Sequence, residues 1–243
     1  MSITARRALV TGGSGGIGGV ICRHLARDGH EVFVHSHRGG AVAETLVAQI
    51  RAAGGRATGI SFDITDTAAT RTALEAVLQG GPIQILVNNA GVHDDAVLPG
   101  MSPEQWRRVI DVSVNGFFNA TQPLLLPMIR TRWGRIVNVS SIAALIGNRG
   151  QVNYAAAKGA LNSATKALAL EVATRGITVN SVAPGIIDTP MTVGLFDAKA
   201  IERLVPMSRL GSPEEVANVV SFLVSEAASY VTAQIISVSG GMA

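Results

Sequence analysis

Arg7 to Val10 is a short apolar run that passes directly into Thr11-Gly12-Gly13-Ser14-Gly15-Gly16-Ile17-Gly18. Ile17, Val20, Ile21, His24 and Leu25 then recur at helical spacing until Asp28-Gly29 stops them. A glycine motif carries meaning when a strand precedes it and a helix follows it, as here. A turn without side chains lets a pyrophosphate approach the backbone and meet the amides that open the helix. A merely flexible turn is the competing view, and the flanking strand and helix favour nucleotide binding.

The same alternation continues along the chain. Glu31 to His35 reads as a second strand, a helix spans 41–53, and Ala57 to Phe62 is a third strand. A helix over 67–78 follows, with Thr65 or Asp66 placed to cap it. Ile83 to Val87 is the fourth strand, and a long helix starts at Ser102-Pro103-Glu104 and runs to about Arg130, with Pro123 and Pro127 expected to bend it. Strand five is Arg135 to Val139, a helix covers about 153–174, and strand six is Ile177 to Val182. Residues 186–212 lack a period and hold Pro190, Gly194, Pro206 and Gly211, the profile of a substrate lid. A last helix begins at Pro213-Glu214-Glu215, and Gln234 to Val238 is the final strand. Strands alternating with helices, without linker or repeat, predict one α/β domain over residues 1–243, built on a doubly wound parallel sheet.

Composition narrows the classes. A hydrophobic content of 47% with 27 glycines describes a globular chain rather than a disordered one. No apolar run reaches the ~20 residues that cross a bilayer, and the strand that begins at Arg7 leaves no room for a signal peptide, so a cytoplasmic location is expected. The single cysteine, Cys22, excludes an intramolecular disulfide and fits a buried, inert thiol. With 20 basic and 17 acidic residues the net charge is +3, and no dense basic block argues for nucleic acid. His35 with His37, and His93-Asp94-Asp95, suggest metal ligands only in isolation, and no metal is expected.

After the second strand comes Ser36-His37-Arg38-Gly39-Gly40. An acid near this point would hold ribose hydroxyls and favour NAD; none is present, and His37 and Arg38 suit the 2′-phosphate of NADP. Asp63, just beyond the third strand, can accept from an adenine amino group. Asn88-Asn89-Ala90-Gly91, after the fourth, either meets a flat cofactor or braces neighbouring strands.

The stretch Ser141 to Lys158 carries the chemistry. Tyr154 and Lys158 are four apart in an Ala-rich run and share one helix face. A free tyrosine titrates near ~10, and an ammonium beside it is expected to lower that value toward the working range of a general acid or base. Ser141 lies where a buried strand ends, at Ser140 or Ser141, and a hydroxyl there can bond a substrate carbonyl oxygen.

Taken together, these motifs resemble the short-chain dehydrogenase/reductase family, and within it the branch that reduces 3-oxoacyl groups on acyl-carrier protein. The likeness rests on Thr11-Gly12-x-x-x-Gly16-Ile17-Gly18, Asn88-Asn89-Ala90-Gly91, Ser141 with Tyr154-x-x-x-Lys158, and Pro184-Gly185 with Thr189. Gly147-Asn148-x-Gly150-Gln151-x-Asn153-Tyr154 and Arg175-Gly-Ile-Thr-Val-Asn180 narrow it to that branch. The resemblance implies a Rossmann-type sheet of about seven strands with helices on both faces. It implies NADP(H) held by Gly12, Ser14, Gly16, Ile17, Gly18, His37, Arg38, Asp63, Ile64, Asn89, Ala90, Gly91, Tyr154, Lys158, Pro184, Gly185, Ile187 and Thr189. It implies proton donation by Tyr154, oxygen binding by Ser141, and a homotetramer or dimer. Arg132 and Arg175 then dock the acidic carrier protein, or serve only solubility.

Two departures stand out. Ser113 occupies the place of the catalytic-helix asparagine whose carbonyl holds a proton-relay water in the family, so an altered relay is expected. Gly15 stands where many NADP-dependent members have an arginine, which leaves more of the 2′-phosphate to His37 and Arg38. Reduction of carrier-bound 3-oxoacyl groups in fatty-acid or polyene/polyketide synthesis is the leading expectation. Reduction of acyl-coenzyme A or other small carbonyls, and a weakly active NADP-binding scaffold, are the alternatives.

Overall fold

The structure, a computed structural model, describes residues 5–37, 40–190, 192, 194 and 197–243. Among them a seven-stranded, all-parallel sheet runs in the order β3-β2-β1-β4-β5-β6-β7. The strands are β1 Arg7–Val10, β2 Glu31–Ser36, β3 Arg56–Ser61, β4 Ile85–Asn88, β5 Gly134–Val139, β6 Ile177–Pro184 and β7 Ile235–Val238. The helices are α1 Gly16–Arg27, α2 Ala41–Ala52, α3 Thr67–Leu78, α4 Pro103–Ile110, α5 Gly116–Thr131, α6 Ala143–Ile146, α7 Val152–Val172, α8 Ala198–Leu204 and α9 Pro213–Val224.

Strand alternation splits the core in two. Ala8 and Val10 face one side with Ile21, Leu25, Val34, Val220 and Leu223, drawing in α1, α2 and α9. Leu9 faces the other with Phe33, Leu86, Leu124, Met128 and Leu168, drawing in α3, α5 and α7. β1 pairs with β2 on one edge (Leu9 opposite Phe33) and with β4 on the other (Leu9 opposite Leu86). The order therefore reverses at β1/β4, and the crevice outside the C-terminal strand ends at that reversal is where such sheets bind ligands.

Local signals explain most boundaries. Asp66 accepts from the amides of Ala68 and Ala69 at 2.9 Å and starts α3 at Thr67. Ser102 with Gln105, and Ser212 with Glu215, close capping boxes ahead of the prolines that open α4 and α9.

Three expectations change. The helix after Ser102 is interrupted ahead of its prolines: a π-helical turn over Asp111–Asn115 divides α4 from α5, while Pro123 and Pro127 lie inside α5. The extra residue in that turn brings Ser113 into the interior, where it is buried. The fourth strand begins at Ile85, with Ile83 buried just before it. The segment 186–212 contains α8, started by Asp197, whose carboxylate accepts from Ala200 N–H at 2.7 Å.

Candidate active site

The glycine turn is braced from three sides. Gly12 adopts a left-handed φ of 61°, and a β-carbon at Gly18 would collide with the Gly12 carbonyl oxygen and approach Asn89 Nδ2 to 2.6 Å. Asn89 Nδ2 donates to the carbonyls of Thr11 and Gly12 at 3.0 Å each. The amides of Asn89 and Ala90 both donate to Thr11 Oγ1 at 3.0 Å. The Asn89 side chain thus does the bracing that the sequence left open against cofactor contact.

His35 supplies the third brace. Its Nδ1 accepts the Gly12 amide at 3.0 Å, and its Nε2 donates to the Phe62 carbonyl at 3.0 Å, which identifies the neutral tautomer. Burial holds its pKa below the ordinary histidine value. Sequence reasoning weighed His35 only as a metal partner of His37. The signal that could have found it is a histidine on a buried strand beside a glycine turn with free amides. Among the described residues no cluster of three or more His, Cys, Asp or Glu side chains could hold a metal ion.

The remaining cofactor candidates distribute around this turn. Ser14 and Gly16 lie on it, and Ile17 packs against the core from the first turn of α1. Thr189 and Pro190 cover the turn, where a β-carbon on Gly16 would come within 3.2 Å of Thr189. His37 Nδ1 lies 3.6 Å from Asp63 Oδ1, so the two loop candidates face each other. Asp63 also accepts from Thr65 N–H and Oγ1–H at 2.9 and 2.7 Å. Ile64 is buried in the core and its carbonyl accepts from Asn119 Nδ2 at 2.9 Å. Pro184 ends β6, Gly185 lies so close to Ser239 that a β-carbon would stand 2.8 Å from its Cα, and Ile187 is buried. Arg38 lies outside the described residues.

Strand β5 and helix α7 bring the reactive side chains together. The Ser141 hydroxyl, just past β5, hydrogen-bonds Tyr154 and accepts from Ala143 N–H at 3.1 Å. Lys158 is 2% exposed, its Nζ donates to Val139 O at 2.9 Å, and it lies 5.6 Å from the Tyr154 ring centre. A β-carbon on Gly91 would stand 3.0 Å from that Nζ, so the turn after β4 must be small to admit the lysine. Asn153, fully buried, fixes the first turn of α7: its Oδ1 accepts from Tyr154 N–H at 2.8 Å and its Nδ2 donates to Asp94 O at 2.9 Å.

The electrostatics differ from the expectation. Burial pushes the Tyr154 pKa up, the Ser141 hydrogen bond opposes that, and the Asp95 charge adds to it. Burial alone lowers Lys158 to about 8. Burial thus sets the direction, and Tyr154 stays a phenol at neutral pH, the protonation state of a proton donor.

Ser113 is buried in the π-helical turn with its Oγ unpartnered. Cys22 is buried, burial pushes its thiol far up, and its Sγ contacts Gly13 O at 3.8 Å. Arg132 and Arg175 are not part of this cluster. They precede β5 and β6, at the opposite end of the sheet from Ser141, with Arg132 Nη2 donating to Thr174 O at 3.2 Å. Arg135, at the start of β5, is 3% exposed and stacks on Trp133 at 4.3 Å.

The chain is 42% identical over 236 residues to a 3-oxoacyl-[acyl-carrier-protein] reductase of Aggregatibacter actinomycetemcomitans, covering 96% of this chain and 98% of that protein. It is 43% identical over 249 residues to the protein of the same name from Aquifex aeolicus, covering 100% and 99%. It is 40% identical over 249 residues to an acetoacetyl-CoA reductase of an Acinetobacter species, covering 97% and 96%. The model of the short chain dehydrogenase family matches residues 6–200, and with it the chain belongs to the short-chain dehydrogenase/reductase family.

Proposed function

We propose that this protein reduces 3-oxoacyl groups carried on acyl-carrier protein to 3-hydroxyacyl groups, with NADPH as reductant. The observation that carries the reading is the joined Ser141–Tyr154–Lys158 cluster beside the glycine turn. The turn fits a dinucleotide: Gly12 and Gly18 keep side chains out of the cradle, and Thr189 closes over Gly16. When bound there, the nicotinamide supplies hydride to the β-carbonyl carbon. Ser141 holds the carbonyl oxygen, and Tyr154, kept protonated by burial, gives its phenolic proton to that oxygen as negative charge develops. Lys158, cationic below about 8, stabilises the phenolate left behind.

Arg132 and Arg175 are proposed to dock the acidic carrier. They stand a strand length from Ser141, about 20 Å for a six-residue β5. A carrier docked there presents its substrate across that distance or to a neighbouring copy, in keeping with the proposed homotetramer. A cytoplasmic location is part of the proposal; separately, among the described residues no helix is long and apolar enough to cross a membrane.

The test is NADPH oxidation at saturating cofactor with acetoacetyl groups on acyl-carrier protein or on coenzyme A, repeated with Arg132→Glu. The proposal requires preference for the carrier form and a raised KM for it alone in the variant. The acetoacetyl-CoA reductase relative favours a second reading, in which both substrates turn over alike and Arg132→Glu changes neither.

A further inference from the structure

Between α1 and α2, against the glycine turn, lies a cavity of about 440 Å³ whose walls include Ser14, Gly15, Gly19, Arg23, Ala41 and Thr45. Arg23 is the one charged side chain among its described lining residues. It is exposed, and among the described residues no carboxylate pairs with it. Gly16, Gly19 and Arg23 fall on one stripe of α1, and helix side chains lean toward the N-terminus. The guanidinium is therefore directed along that stripe toward the turn.

Nothing steric requires glycine along most of this path. A β-carbon on Gly19 would meet Gly13 O and Leu46 at 3.6 Å, an ordinary contact, and one on Gly15 would meet only Gly12 O at 3.4 Å. Gly18, by contrast, has no room. Gly15 and Gly19 thus leave open a space that side chains could fill, and an unpaired cation reaches into it. Of the two loop candidates, His37 faces the Asp63 carboxylate at 3.6 Å, and Arg38 lies outside the described residues.

We infer that Arg23 is a specificity-determining residue that receives the 2′-phosphate of the cofactor's adenosine in this cavity. The inference rests on the NADPH reading above and assigns its discrimination to α1. A guanidinium matches a phosphate dianion bidentately, whereas the ribose 2′-hydroxyl of NADH offers no charge to it.

The test is equilibrium binding, followed by cofactor fluorescence, of NADPH and NADH to the wild type, to Arg23→Gln, and to Arg23→Gln with Gly15→Arg. Because Arg23 is exposed, the variant keeps the fold, and circular dichroism checks this. Arg23→Gln should bind NADPH roughly tenfold or more weakly, the scale of a charge-assisted contact, with NADH unchanged. Gly15→Arg should restore NADPH affinity from the turn at the head of α1. A wild-type preference for NADPH that survives Arg23→Gln overturns the assignment alone, as does an equal loss for both cofactors. Equal wild-type affinity for the two overturns the NADPH reading and this assignment together.

Discussion

His35 Nδ1 accepts the amide proton of Gly12 at 3.0 Å, so a buried side chain on β2 holds the glycine turn that follows β1. The bond satisfies an amide that would otherwise face the core, and it links the pocket's shape to the protonation of one imidazole.

Replacing His35 with leucine keeps the volume and removes the acceptor. We expect a loss of about 1–3 kcal/mol in urea unfolding, the cost of an unmet buried donor, and a larger proportional loss in NADPH affinity. Unchanged cofactor affinity in a folded His35→Leu protein would separate the bond from the pocket.

Acid should destabilise the protein through the same group. Burial lowers the pKa of His24, His30 and His35 in the folded state. The unfolded chain therefore takes up these protons first, so the stability they confer is complete above ~6.5, the unfolded value, and is lost as pH falls below it. Urea midpoints at successive pH values should fall through that range, less steeply in His35→Leu.

Gly18→Ala tests the cradle. Its β-carbon has no space between the Gly12 carbonyl and the Asn89 amide, both held by other bonds. The variant should lose about 1–3 kcal/mol from overpacking and its NADPH binding. Gly19→Ala, with contacts at 3.6 Å, should do neither.

Ser113 gives a subtler prediction. Its hydroxyl is buried without a partner, so Ser113→Ala should be neutral or stabilising within ~1 kcal/mol. Ser113→Asn restores the residue type expected at this position and should raise turnover if the proton relay depends on it. An unchanged rate would place the relay elsewhere.

Much of this was legible in the residues because the deciding interactions are local. Asp66 and the proline-led capping boxes at Ser102 and Ser212 announce their helices within three residues. Tyr154 and Lys158 share a helix face by spacing alone. What escaped depends on neighbours distant in the chain. The π-helical turn at Asp111–Asn115 carries no local breaker, and it arises ahead of the prolines that seemed able to bend the helix. Helix α8 is hidden between Gly194 and Pro206, and its start rests on the single cap at Asp197. The burial of His35 and Arg135 is set by the neighbours of β2 and β5, which the local sequence does not show. The direction of the Tyr154 shift could not be read from Lys158 alone, because it is set by burial contributed from several elements.

The central claim is that Tyr154 donates the proton. The most direct measurement is steady-state NADPH oxidation with acetoacetyl-acyl-carrier protein by wild type and Tyr154→Phe, with NADPH affinity measured in parallel. The account predicts a fall in kcat of roughly 10²–10⁴-fold, the scale of general acid catalysis, with cofactor affinity changed by less than about threefold. A Tyr154→Phe protein that binds NADPH and turns over at the wild-type rate would contradict it.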